Sequence, residues 1–189
     1  MSSYTPIPLN NANNRISLFN ASKENVPLLG LDAPALNLMT DFTRTPAITA
    51  ADSTKIDTAL DQMIFSGVRL LFIVDADFTL LGLITSYDIQ SEKPMLYLQS
   101  KDCKIGTCSR DDITVKDIMT PLTAWQILNY QDVMEVSLGN IVETFKSAGR
   151  RHLLVQDSSP DGKKLNVRGL FSVTAFERAL GITIEIIGR

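Results

Sequence analysis

Residues 82–89 read GLITSYDI and residues 169–176 read GLFSVTAF. Each stretch runs Gly, two apolar residues and a hydroxyl residue, Thr85 in the first and Ser172 in the second. Three positions further on they part: the first has Asp88, the second Ala175. A strand ending at Thr85 and a helix starting at Ser86 would leave the first helical N–H groups without internal partners. Those groups and the helix dipole favour an anion. Thr85 and Ser86 add hydroxyl donors. Asp88 can accept two hydrogen bonds, which suits the vicinal hydroxyls of a ribose. Gly82 lets a ligand or another backbone come close. The same residues also fit a capping box, [ST]-x-x-[DE], which explains Thr85 and Asp88 at ~1 kcal/mol with no ligand. The two roles are compatible. Ala175 cannot hold a ribose, although Ser172 and Thr174 keep hydroxyls in the second copy. Taken alone, these residues favour the cap; within the repeated frame a nucleotide site is favoured, one per chain and centred on Asp88, with a degenerate counterpart that is empty or takes something other than a ribonucleotide.

Other chemistry finds little support. The chain has one histidine, His152, and no GxxxxGK[ST], HExxH or GxSxG pattern. No paired acids stand out, so no catalytic residue is assigned and the protein is expected not to be an enzyme. Cys103 and Cys108 with a single histidine make a poor zinc set, and free thiols are the simpler reading. No metal and no obligatory cofactor are expected.

The elements that would position Asp88 are duplicated. ALNLMTDFT at 35–43 echoes VKDIMTPLT at 115–123, and IDTALDQMIFSGVRLLFIVD at 56–75 echoes LGNIVETFKSAGRRHLLVQD at 138–157. The copies are 80 residues apart at Thr40 and Thr120, 82 at Gly67 and Gly149, and 87 at Gly82 and Gly169. The extra residues fall in turns, where a duplicated fold tolerates them. In the first copy Ile56, Ala59, Leu60, Met63 and Ile64 form a helical stripe that Gly67 stops. LLFIV at 70–74 has the character of a buried strand, and LLGLIT at 80–85 is a second strand before the GLITSYD helix. In the second copy Ser137 caps a helix carrying Leu138, Ile141, Val142, Phe145 and Ala148, and Gly149 ends it. HLLV and VRGLFS are strands and TAFERAL is a short helix. The organisation read from this is an N-terminal arm over 1–34, repeat one over 35–98, a linker over 99–114 and repeat two over 115–189.

The 189 residues are 44% hydrophobic, enough for one or two cores. With 18 basic and 21 acidic residues, the formal net charge is −3. That argues against a general nucleic-acid binder, which shows a basic face. The sequence has no stretch of ~18 apolar residues to span a membrane and no secretory pattern at MSSYTPIPLNNANN. A cytoplasmic protein with no membrane partner is expected.

VKDIMTP, SGVRLLFIVD and GLITSYDI, in that order and repeated, resemble a tandem pair of CBS domains, a Bateman module, over roughly residues 35–182. The resemblance implies an α/β (α+β) chain of two β-α-β-β-α repeats. Each would have a three-stranded sheet and two helices, packed sheet to sheet about a pseudo-twofold axis. It implies a homodimer and a regulatory role: binding AMP, ADP, ATP or S-adenosylmethionine between the copies and acting on an effector protein in trans. A structural or dimerising module that has lost its ligand is the alternative. In this family the hydroxyl residue reaches phosphate and the Asp holds ribose, which points to Thr85, Ser86 and Asp88. The lead-in of copy two, TAWQIL at 123–128, would close that site, with Ile127 and Leu128 flanking adenine. Arg69 resembles a phosphate-binding arginine of the family, and Arg151 and His152 are the matching positions of copy two. Solvated surface charge is the competing reading for Arg69 and Arg151, and a packed edge residue for His152. Lys116 and Arg44 are weaker candidates. Trp125 either stacks on adenine or fills the groove between the copies.

Overall fold

The computed structural model describes residues 28–100, 109–158 and 165–186. Cys103 and Cys108, half of the linker, most of the arm and most of the SSPDGKK turn lie outside them. The first copy runs β1 (Thr40–Asp41), β2 (Thr49–Ala51), α1 (Ile56–Ser66), β3 (Leu70–Val74), β4 (Leu80–Thr85) and α2 (Ser86–Gln90). Helix α3 (Lys93–Ser100) extends it. The second runs α4 (Val115–Ile118), β5 (Thr120–Pro121), β6 (Ile127–Asn129), α5 (Tyr130–Met134), α6 (Leu138–Ala148), β7 (His152–Ser158), β8 (Leu165–Ser172) and α7 (Val173–Leu180).

Gly67 and Gly149 end α1 and α6 at φ 65° and 62°, a left-handed conformation that costs glycine least. At the start of α6 the Asn140 side chain accepts from the Ser137 N–H and hydroxyl. The LLFIV run is buried on both faces because successive side chains point to opposite sides of a strand. Leu71 and Ile73 meet α1 and α2, whereas Leu70 and Phe72 meet Leu83 and Leu154. Leu154 belongs to copy two, so this last cluster is the seam where the sheets pack face to face. The outer core of copy two is anchored by Phe145, Phe171 and Phe176, whose rings meet edge to face at 5.3 and 5.7 Å.

Each sheet has four strands rather than three. Their orders are β2-β3-β4-β5 and β1-β8-β7-β6. The fourth strand is an exchanged lead-in: β1 of copy one pairs with β8, and β5 of copy two pairs with β4. The neighbouring chain follows. Ala35 N–H donates to Val136 O and Leu138 N–H to Ala33 O, while Val115 N–H donates to Thr54 O and Ile56 N–H to Ile113 O. Glycine permits the exchange. A Cβ at Gly82 would lie 2.5 Å from Thr120 O, and one at Gly169 would lie 2.8 Å from Thr40 O. The close approach that Gly82 allows is thus by backbone. Arg168 locks the exchanged β1 with a two-pronged contact to Asp41 at 3.0 and 3.3 Å, and it also reaches Asp157 and stacks on Tyr130. Hydrogen bonds from Thr43, with Arg168 adding to them, hold the Asp41 carboxyl down at about 2.

Candidate functional site

The exchange makes two clefts, each between the strand–helix corner of one copy and the lead-in of the other. The first, about 430 Å³, is lined by Thr85, Tyr87 and Asp88 of copy one and by Thr120, Trp125, Gly149, Arg150, Arg151, His152 and Ile186 of copy two. The second, about 580 Å³, is lined by Ser172, Thr174, Ala175 and Arg178 at its corner, by Thr40, Phe42, Thr45, Pro46 and Ile48 of the lead-in, and by Arg69 and His152 among others.

At the first corner Thr85 ends β4 and caps α2. Its N–H donates to Asp88 Oδ2 at 2.8 Å and its hydroxyl at 2.6 Å, while Asp88 N–H donates to Thr85 Oγ1 at 3.2 Å. The capping box is therefore formed. Asp88 Oδ1 holds the Lys93 ammonium at the start of α3. Both carboxylate oxygens have partners. The expectation of open helical N–H groups needs correction: Ser86 N–H already donates to Arg69 O and Asp88 N–H to the cap. Helix α2, with five residues, also has little dipole to offer.

Of the residues expected to act together, Thr85, Asp88, Arg151 and His152 share the first cleft. Ser86 lies instead in a groove between α1 and α2, beside Leu60 and Gln90. Arg69 lines that groove and the second cleft, not the first. Ile127 and Leu128 line neither cleft, contrary to their expected place beside adenine. The alternation of β6 sends Ile127 into the seam between the sheets and Leu128 into the outer core of copy two. The lead-in contributes Thr120 and Trp125 instead. Lys116 pairs with Asp52 at 2.7 Å, which raises its pKa. Arg44 lines a separate hollow with Asp41 and Tyr130.

Trp125 packs against the seam, with the Arg150 guanidinium 4.6 Å from its ring centre. Arg150 also donates to Ala124 O at 2.9 Å. Arg151 reaches Glu177 of α7 at 3.7 Å and lies 5.9 Å from the Tyr87 ring. His152 lines both clefts. Desolvation, helped by Arg151 and Arg69 against the opposing pull of Asp88, lowers its pKa to about 4, so the ring is neutral at pH 7. Three participants escaped the sequence reading. Arg150 stood in the quoted GRRH. Arg178 lies one helical turn from Ala175, a spacing that shares a helix face. Lys93 carried no sequence signal, because its partner depends on how the chain turns between α2 and α3. Among the described residues no group of His, Cys, Asp and Glu could hold a metal, and no helix is long and apolar enough to cross a membrane.

The family model of the CBS domain matches residues 39–93. No curated protein matches the chain. Solved structures share its architecture at low identity. A conserved protein from Pyrococcus horikoshii is 21% identical with a TM-score of 0.55, over 83% of this chain and 98% of its own. The CBS-domain protein ATU1752 from Agrobacterium tumefaciens is 16% identical with a TM-score of 0.51, over 82% and 98%. The CBS domain pair of protein MJ0100, solved in complex with 5-methylthioadenosine and S-adenosyl-L-methionine, is 19% identical with a TM-score of 0.50, over 82% and 98%. Two copies of one β-α-β-β-α unit, joined face to face with exchanged lead-ins and a CBS match on the first, give the chain the fold of a CBS-domain pair.

Proposed function

We propose that the protein is a non-catalytic regulatory module that binds one adenosyl ligand per chain in the Asp88 cleft. It would signal that ligand to an effector protein in trans. One observation carries the reading: the carboxylate and hydroxyl of copy one, Asp88 and Thr85, converge with Trp125, Arg151 and His152 of copy two in a single cavity. Its volume suits a small molecule, for which clefts of ~300–1,000 Å³ are usual. The complex of the MJ0100 pair with two adenosyl compounds supports the class. Arg150 and Arg151 favour its phosphate-bearing members, AMP, ADP or ATP, over S-adenosylmethionine. Ribose hydroxyls would bind Asp88 by taking Oδ1 from Lys93, while Oδ2 stays in the cap.

The alternative is a structural or dimerising module, and the engaged state of Asp88 favours it. A carboxylate that caps its own helix and holds Lys93 has work without any ligand. A melting-temperature panel with AMP, ADP, ATP and S-adenosylmethionine separates the two. A ligand at 100 times its Kd adds ~2.7 kcal/mol, which for a chain of this size is a rise of roughly 5–10 °C. A flat response to all four would leave the structural reading standing.

A further inference from the structure

Helix α7 ends at Gly181, and the chain then runs back past Glu177 of the same helix toward the Asp88 cleft. Ile182, Ile184 and Ile186 alternate with Thr183 and Glu185. Burial follows the alternation. Ile184 is buried in the outer core of copy two, Ile186 packs against the same core, and Thr183 and Glu185 are exposed. Among the described residues a single hydrogen bond holds residues 182–186, from Ile184 N–H to Glu177 Oε1 at 3.0 Å. Two residues on, Ile186 lines the Asp88 cleft. It is the one aliphatic side chain among the described residues of that lining, because Ile127 and Leu128 face away. Oε2 of Glu177 faces Arg151, which also lines the cleft, at 3.7 Å. That distance is too long for a hydrogen bond, so Arg151 is loosely held. Glu177 therefore touches the segment with one oxygen and a cationic wall of the cleft with the other.

We propose that residues 181–186 form a strap latched by Glu177, that Ile186 on this strap is the aliphatic wall for the base of the ligand, and that ligand binding fastens the strap. The inference rests on the adenosyl reading of the Asp88 cleft. A base packed on Ile186 adds apolar burial to a segment otherwise held by one hydrogen bond. A phosphate that draws Arg151 away leaves the Glu177 carboxylate to the strap. Both effects favour the closed strap, and the coupling is reciprocal: loosening the strap weakens the ligand by the factor that the ligand tightens the strap. The strap then differs between the free and the bound protein, which gives an effector a surface to read.

Titration calorimetry of the full chain with AMP and adenosine, together with hydrogen exchange read over residues 181–186, tests it. Ile186→Ala should weaken AMP and adenosine by the same factor, about 3- to 10-fold. Arg151→Ala should weaken AMP and leave adenosine unchanged. In the ligand-free protein, Glu177→Ala should speed exchange of the Ile184 amide, and it should weaken adenosine. Glu177→Gln keeps an acceptor oxygen and should restore both. Adenosine is the probe for Glu177, because an Arg151 freed from Glu177 gains on a phosphate. Saturating AMP should slow exchange over 181–186 in the wild type and leave it unchanged in Asp88→Ala. A melting curve for each variant checks that it is folded, and Glu177→Ala serves if Ile186→Ala is not. The proposal is overturned if Ile186→Ala and Glu177→Ala bind adenosine as tightly as the wild type does, or if AMP binds and exchange over 181–186 stays the same. Failure of the adenosyl reading looks different. Neither AMP nor adenosine then binds the wild type, or both bind Asp88→Ala undiminished, and either result overturns the strap proposal together with that reading.

Discussion

Asp88 and its neighbours set the sharpest expectations at the scale of single residues. Asp88→Ala should lose adenosyl-ligand affinity and cost ~1 kcal/mol of stability through the cap, with the fold kept. Trp125 provides the readout, since its ring lines the same cleft. Adenosyl ligand should change its fluorescence saturably in the wild type and in Ser172→Ala, but not in Asp88→Ala. A signal lost in Ser172→Ala and kept in Asp88→Ala would move the working site to the other copy. Lys93→Ala frees Oδ1 and should tighten binding ~2- to 5-fold, the usual worth of a surface ion pair; weaker binding in calorimetry would mean that Lys93 assists the ligand. His152 predicts a pH effect. Its folded pKa of about 4 lies below the ordinary 6.5, so between those values the unfolded chain takes up a proton that the folded chain refuses. Its contribution to stability is complete above pH 6.5 and declines as pH falls toward 4. Melting curves at pH 7.5 and 5 should show a smaller difference for His152→Leu, which installs the residue that copy one has at Leu70. Asp41 acts in a separate, lower window, from 3.8 down through about 2.

At the scale of elements, the exchanged lead-ins depend on Gly82 and Gly169. Gly82→Ala forces a Cβ against the backbone oxygen of Thr120, and backbone cannot swing aside as a side chain can. The expected loss is ~1–3 kcal/mol, or roughly 2–12 °C in melting temperature for a chain of this size. Gly30→Ala is the control, because nothing lies within 4 Å of its added Cβ. Equal melting temperatures for the two variants would show that β5 can shift away from β4 at little cost. The same crossings position the chemistry. Exchanged β5 carries the chain past Thr120 to Trp125 over the Asp88 corner, and exchanged β1 carries it past Thr40 to Thr45 over the Ala175 corner.

For the whole molecule, the pseudo-twofold pair is unequal on its outer surface. Helix α1 exposes Ile64 at 70% and Phe65 at 94%, near a half-exposed Tyr87. The matching positions of copy two are Lys146, Ser147 and Thr174. We predict a homodimer with copy one in its interface, since copy one leaves these large apolar side chains exposed. Phe65→Glu should then convert the dimer to a monomer of 20.8 kDa in sedimentation, since a buried carboxylate without a partner is strongly disfavoured. A wild-type chain that sediments only as a monomer at tens of micromolar, on the order of concentrations that reveal weak interfaces, would rule the dimer out.

What the sequence determined by itself was local or repeated. The helical stripes, the glycine stops at Gly67 and Gly149, the doubly buried LLFIV strand, the duplication and the contrast between Asp88 and Ala175 could all be read from spacing and residue type, because each is set by neighbours a few positions away or by comparison of the two copies. The tertiary structure alone decided the rest. Strands of two residues, β1 and β5, are too short to carry a period, so their exchange and the fourth strand of each sheet were invisible. That exchange also fixed which corner each side chain meets. It put Arg69 beside Ala175, and the facing of β6 turned Ile127 and Leu128 away from both clefts, whereas the lead-in carrying Trp125 was already expected over the Asp88 corner. Lys93 on Asp88 is of the same kind. A long cationic side chain finds its partner through the path of the chain between two helices, which residue spacing does not specify.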